Sequence, residues 1–231
     1  MRICGLNRTT LLDYPGRVAC TIFIGGCNYR CPFCQNGGLV MDAANQPVIS
    51  EEEVLSFLRK RQGILEGVCV TGGEPTLQKD LPGFLEKIRM LGYDVKLDTN
   101  GTRPEVVKSL AKEGLITKVA MDIKTAPDQY ARLAGIEDPF LKEVMETAGF
   151  LLHGDLDYEF RTTVIRELHS EQDFEAIGEW LAGAKEYYLQ EFRDSDQVLV
   201  QGLHGCSLET MERYRDILRK TMSEVGIRGI D

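Results

Sequence analysis

The 231-residue chain is 43% hydrophobic and 27% charged, an ordinary globular balance with enough apolar material for one well-buried domain. Its net charge, 27 − 36 = −9, argues against a chain-wide phosphate-binding surface, so no nucleic-acid partner is expected. No apolar run approaches the ~20 residues of a membrane span, and Met1-Arg2-Ile3-Cys4 is no signal peptide, so a cytoplasmic protein without a membrane partner is expected.

In chain order, the first strand-like run is Val18 to Ile24, and Gly25-Gly26 then frees the backbone to turn into a loop. Ser50 followed by Glu51-Glu52-Glu53 opens a helix whose apolar face is Val54, Leu55, Phe57 and Leu58. A short buried strand over 67–71 ends in Gly72-Gly73-Glu74-Pro75, and a helix follows from Leu81 to Leu91. The strand 94–98 turns at Thr99-Asn100-Gly101, and Pro104 starts a helix to about Glu113. A strand over 118–123, helical stretches over 127–134 and 138–152, and a strand over 158–164 come next. A helix from Glu171 to Ala182, a last strand over 187–192 and a final helix from Leu208 to Met222 complete the reading.

Six strands joined by helical crossovers predict a parallel sheet with right-handed connections. Periodicity alone does not separate a partial open barrel from a flat doubly wound sheet. No repeat, low-complexity tract or linker divides the chain, so a single domain over 1–231 is expected, with its core over about 16–192 and a C-terminal extension over 193–231.

Seven cysteines in a chain without an export signal read as metal binding rather than as a disulfide framework. Three of them, Cys27, Cys31 and Cys34, lie within eight residues at Cys-x3-Cys-x2-Cys spacing. Clustered thiolates suit zinc, copper(I) or iron–sulfur clusters. A cubane has four iron corners and this loop offers three sulfurs, so either a fourth ligand lies elsewhere or one iron stays open to a small molecule. Cys20 and Cys69 read as small buried hydrophobes, and Cys4 as uninformative. His204-Gly205-Cys206 reads as a loop before the last helix.

Other polar residues fall at strand ends, where ligands of parallel sheets gather. Gly72, Gly73 and Glu74 follow the second strand, Asp98 to Gly101 the third, and Asp122-Ile123-Lys124 the fourth; Arg161 lies on the fifth. This convergence points to an active site.

The cysteine spacing with Phe33 before the last thiol resembles the signature of the radical S-adenosylmethionine (SAM) superfamily. The wider stretch Leu12-Asp13-Tyr14-Pro15-Gly16 … Gly26-Cys27 to Gln35-Asn36 resembles the activating proteins of anaerobic ribonucleoside-triphosphate reductases. The resemblance implies α/β architecture with a partial open (β/α)6 barrel. It also implies a [4Fe–4S] cluster on Cys27, Cys31 and Cys34 and SAM chelating the open iron. Reductive cleavage of SAM there would give a 5′-deoxyadenosyl radical that takes hydrogen from a glycine of a large glycyl radical enzyme.

By the same resemblance Gly72, Gly73 and Glu74 hold the SAM amino group, Phe33 lies near the adenine with Tyr29, and Lys124 and Arg161 lie near the SAM carboxylate. Asp98, Thr99 and Asp122, with the Ala120 carbonyl, correspond to a monovalent-cation site of pyruvate formate-lyase activating enzyme. A glycyl radical enzyme and a flavodoxin- or ferredoxin-type electron donor are the implied partners. The alternatives are an activase of pyruvate formate-lyase type, a small-molecule radical SAM enzyme such as 7-carboxy-7-deazaguanine synthase, and a non-catalytic zinc or electron-transfer module.

Overall fold

The computed structural model describes residues 1–230, which form two compact units. The first comprises residues 1–28, 38–99 and 103–120; the second comprises 29–37, 100–102 and the chain from 121 onward.

In the first unit β1 (Ile3–Thr10) pairs antiparallel with β2 (Ala19–Ile24). Parallel pairing then joins β2 to β3 (Gly67–Gly72) and β3 to β4 (Asp94–Thr99). The register aligns Ile22 with Val70 and Val70 with Leu97, one fully buried apolar row. The neighbouring row, on the opposite face because side chains alternate along a strand, is Thr21, Cys69 and Lys96. Short α1 (Gly37–Met41) follows the cysteine loop.

The helix α2 (Glu51–Arg59) starts where Ser50 accepts a bond from the Glu53 N–H, and three glutamates in its first turn suit the positive end of the helix dipole. It buries Val54, Leu55 and Leu58. Proline stands in the first turns of α3 (Leu81–Met90) and α4 (Pro104–Lys112), where its missing N–H costs nothing. The fifth strand, β5 (Lys118–Asp122), passes from the first unit to the second after Ala120.

The second unit holds α5 (Tyr130–Ala134), α6 (Leu141–His153), β6 (Asp157–Val164), α7 (Glu171–Trp180), β7 (Glu186–Glu191), α8 (Leu208–Leu218) and β8 (Glu224–Arg228). β6, β7 and β8 are parallel in that order. Asp173 accepts the Ser170 N–H at 2.8 Å and boxes the start of α7. The expected helix over 138–152 begins three residues late, because Pro139 disfavours helical backbone at Asp138 and Phe140 takes φ 53°. Over 127–134 a single 3-10 turn precedes a short helix that stops at Gly135, φ 69°.

All six expected strands are present, and β1 and β8 are additional to them. The final helix ends at Leu218 rather than Met222, and β8 uses the residues that follow. No helix among the described residues is long and apolar enough to cross a membrane.

Candidate active site

The cysteine loop leaves β2 through Gly25 and Gly26, and the end of β3 lies against it. The Gly73 N–H donates to the Ile24 carbonyl at 2.7 Å, and the Glu74 N–H to the Gly26 carbonyl at 2.8 Å. A Cβ on Gly73 would stand 2.0 Å from the Gly26 oxygen, and Gly72 has φ +124°, a conformation L side chains rarely adopt. The glycine pair is therefore required by backbone contact with the chain entering Cys27, whatever ligand it also meets.

Glu74 is fully buried, and its Oε1 accepts from the Thr76 N–H (3.1 Å), the Thr76 hydroxyl (2.5 Å) and the Thr99 hydroxyl (2.8 Å). It ties the end of β3 to the end of β4. Within this unit Glu74 therefore serves as a structural acceptor. On β4, Lys96 is 1% exposed and its Nζ lies 2.6 Å from Oδ1 of Asp98, itself 8% exposed.

The Asp13-Tyr14-Pro15-Gly16 stretch serves the amino ends of the strands. Thr21 donates to Asp13, the Tyr14 hydroxyl meets the Thr117 hydroxyl at 2.7 Å, and the Tyr14 ring lies where a Cβ on Gly67 would fall.

The rest of the loop belongs to the second unit. Tyr29 is 2% exposed and donates to the Pro139 carbonyl, so it is a core residue there. Gly135 lets α5 approach the backbone of Arg30, whose N–H donates to the Ala134 carbonyl at 2.8 Å. Cys31 and Phe33 are buried. Burial pushes the Cys34 thiol up, and the charges of Lys124 and Arg30 pull it partly back.

Asp122 accepts from Arg161 Nε at 2.5 Å on one oxygen and from Lys124 Nζ at 3.0 Å on the other. Burial opposes its ionisation, but the two cations hold its carboxyl well below the usual range. Burial likewise opposes the Lys124 charge, and Asp122 overcomes it and holds the ammonium above its usual range. Both cations are thus largely buried on a carboxylate.

Histidine 169 supports this triad from behind. The Ile165 N–H donates to Nδ1 at 3.1 Å, so Nε2 carries the proton and donates to the Lys124 carbonyl at 2.9 Å. The sequence reading assigns no role to His169, because its partners are backbone groups that no motif encodes. His204 bonds Glu167 and precedes α8 in a loop, as its sequence suggests.

A second feature without a sequence signal is the segment after β7. Gln35 donates to the Arg193 carbonyl (2.7 Å), the Gly37 N–H to the Gln197 carbonyl (3.1 Å), and the Val200 N–H to the Pro32 carbonyl (2.9 Å). Residues 193–200 strap the cysteine loop. Gly37 is required for this, since a Cβ there would stand 2.3 Å from the Gln197 oxygen.

All seven thiols are free of disulfides. Among the described residues no three His, Cys, Asp or Glu are placed to hold a single metal ion. A cubane makes a different demand, one soft thiolate on each of three iron corners, and the thiols of Cys27, Cys31 and Cys34, none in a disulfide, meet it chemically.

Residues 21–181 match the profile of the Radical SAM superfamily. The chain belongs to the radical SAM superfamily. Membership implies a [4Fe–4S] cluster and SAM as its cofactors, and the chain is a radical SAM enzyme.

Among curated relatives, it is 30% identical over 203 residues to a Methanocaldococcus jannaschii protein named by inference as a glycyl-radical enzyme activating enzyme, covering 84% of this chain and 81% of that one. It is 37% identical over 122 residues to a Thermococcus kodakarensis protein named by inference as a GTP 3′,8-cyclase, covering 52% of this chain and 38% of the relative. It is 36% identical over 92 residues to the 7-carboxy-7-deazaguanine synthase of Hyperthermus butylicus, covering 39% of this chain and 38% of the synthase.

The structure of Streptococcus suis SuiB bound to precursor peptide SuiA superposes with a TM-score of 0.71 at 14% identity, covering 90% of this chain and 48% of SuiB. The fold is therefore the α/β partial open barrel of radical SAM proteins, and the chain spans about half the length of SuiB.

Proposed function

We propose that this radical SAM enzyme is an activase that installs a glycyl radical on a large partner enzyme, and that the partner is anaerobic ribonucleoside-triphosphate reductase. The observation that carries the activase reading is the match to the M. jannaschii protein along 81% of its length, whereas the cyclase and the synthase are each matched along 38%. The reductase as target rests on the Asp13-to-Gly16 stretch and the residues flanking the cysteine loop.

In this reading Cys27, Cys31 and Cys34 hold the [4Fe–4S] cluster. Gly72, Gly73 and Glu74 receive the SAM amino end, Phe33 borders the adenine, and Lys124 and Arg161 attract the SAM carboxylate. When bound, the cluster and SAM supply one-electron chemistry that ends in an adenosyl radical able to take a hydrogen from a backbone glycine. The chain's own part is to bind, orient and exclude water. Burial of Cys31 and Phe33 keeps solvent from that thiol, and Asp122 fixes two cations in place. A flavodoxin- or ferredoxin-type protein is the proposed electron donor, and the chain from residue 16 to 192 the proposed catalytic core.

The test is an anaerobic incubation of the iron-loaded protein with reductant, SAM and the anaerobic reductase from the same genome. A glycyl doublet in the electron paramagnetic resonance spectrum, with 5′-deoxyadenosine in the same tube, is the expected outcome. Deoxyadenosine without a doublet on the reductase, but with one on another glycyl radical enzyme, would move the target and keep the activase. Turnover of a purine-like small molecule without any protein partner would replace the activase by the synthase-like reading.

A further inference from the structure

We propose that Lys96 is a built-in cation: its ammonium takes the place beside Asp98 that a monovalent metal ion would occupy, so the chain holds SAM without such an ion. The inference rests on the radical SAM assignment and not on the identity of the partner enzyme.

Lys96 and Asp98 are two residues apart on β4, so both project from one face of the strand. In the register Lys96 continues the row of Thr21 and Cys69, both buried and neither charged. A charged ammonium buried to 1% exposure persists only against a carboxylate, and Asp98 Oδ1 is 2.6 Å away. The Asp98 carboxylate is thereby neutralised by a cation that is covalently part of the chain. A sodium or potassium ion would have to shed its own water and displace that ammonium.

The other expected carboxylate is engaged as well. Each oxygen of Asp122 holds a cation, Arg161 on one and Lys124 on the other. Neither Asp98 nor Asp122 thus offers a monovalent ion a carboxylate without a cation of the chain's own. Lys96 is a positioning residue that fixes the Asp98 carboxylate.

Equilibrium binding of SAM to the cluster-loaded chain, in sodium, potassium or tetramethylammonium chloride at equal ionic strength, tests this. The wild type is expected to bind alike in all three salts. Lys96→Met is expected to bind about tenfold more weakly in tetramethylammonium, within the usual range for coupled ligands, and to recover in sodium or potassium. Lys96→Arg, which keeps the charge, is expected to stay insensitive to the salt.

A wild type that loses about tenfold in tetramethylammonium would overturn the proposal, as would a Lys96→Met protein indifferent to the salt. The wild-type series decides alone if the methionine variant does not fold. Melting of the cluster-free chain gives a reading that needs neither cofactor. An ion that binds the native state raises the midpoint, so a wild type stabilised specifically by sodium or potassium would also overturn it. Failure to bind SAM in any salt would count against the superfamily assignment, while the melting series still decides the ion question.

Discussion

The Val200 N–H donates to the carbonyl of Pro32, the residue between Cys31 and Phe33, at 2.9 Å. A segment beyond the last expected strand is thus part of the cysteine loop's support. Replacing Gly37 by Ala drives a Cβ into the Gln197 carbonyl and should lift this strap. Alkylation of Cys31 and Cys34 in the cluster-free protein should then quicken, with the rate at Cys20, buried on β2, unchanged. Equal rates in variant and wild type would mean that the strap does not shield the loop.

The His169 ring is held neutral, its pKa pushed below the ordinary 6.5 by burial. The unfolded chain therefore takes up a proton that the folded chain refuses. This contribution is complete above pH 6.5 and is lost as the pH falls below it toward the lowered folded value, at no more than about 1.4 kcal/mol per pH unit for one group. Chemical denaturation at pH 7.5, 6.5 and 5.5 should show it, and the slope should flatten in His169→Gln.

Two glycines give opposite outcomes on the same change. Gly73→Ala forces a Cβ against the Gly26 carbonyl and should cost about 1–3 kcal/mol together with cluster binding. Gly83 lies in α3 with open space where its Cβ would be, so Gly83→Ala should stabilise by about 0.5–1 kcal/mol and leave the cluster intact. Urea midpoints and iron content separate the two.

Thr99→Val keeps the shape of the residue and removes a donor from buried Glu74. A loss of about 1–3 kcal/mol is expected, the cost of weakening the satisfaction of a buried acceptor. Denaturant titration of Thr99→Ser, which restores the hydroxyl, should recover most of it.

Asp122→Asn removes the charge that holds Arg161 and Lys124 in place. SAM affinity should fall more than cluster content, both measured on the same preparation. Equal loss of the two would assign Asp122 to the fold rather than to the cofactor.

The strands seen in the sequence are short, largely apolar runs set between helix and turn signals, such as Cys20 to Ile24. β1 is illegible because Asn7 to Thr9 within it are polar and exposed, and β8 because it is five residues beginning with Glu224 behind a helix that the apolar pattern prolongs. The cysteine loop is legible from its spacing, and the strand-end acids from their place after each strand-like run. Their partners are not, because His169, Gln197 and Val200 act through backbone groups. Lys96 could have been found: a lysine two residues before an aspartate, inside a strand that is otherwise buried, has that carboxylate as its nearest remedy.

β8 brings Arg228 onto Glu159 of β6 with two hydrogen bonds, 2.9 and 3.0 Å, while its guanidinium lies 3.3 Å above the Tyr188 ring. Glu159 is fully buried, yet this counter-charge comes from 69 residues later in the chain. During synthesis β6 and β7 leave the ribosome well before Arg228 does, so a nascent chain carries a carboxylate that it cannot bury at full benefit until β8 has emerged. Completion of the second unit is in that sense timed by translation, and products that stop short of residue 228 should be preferred clients of cellular proteases.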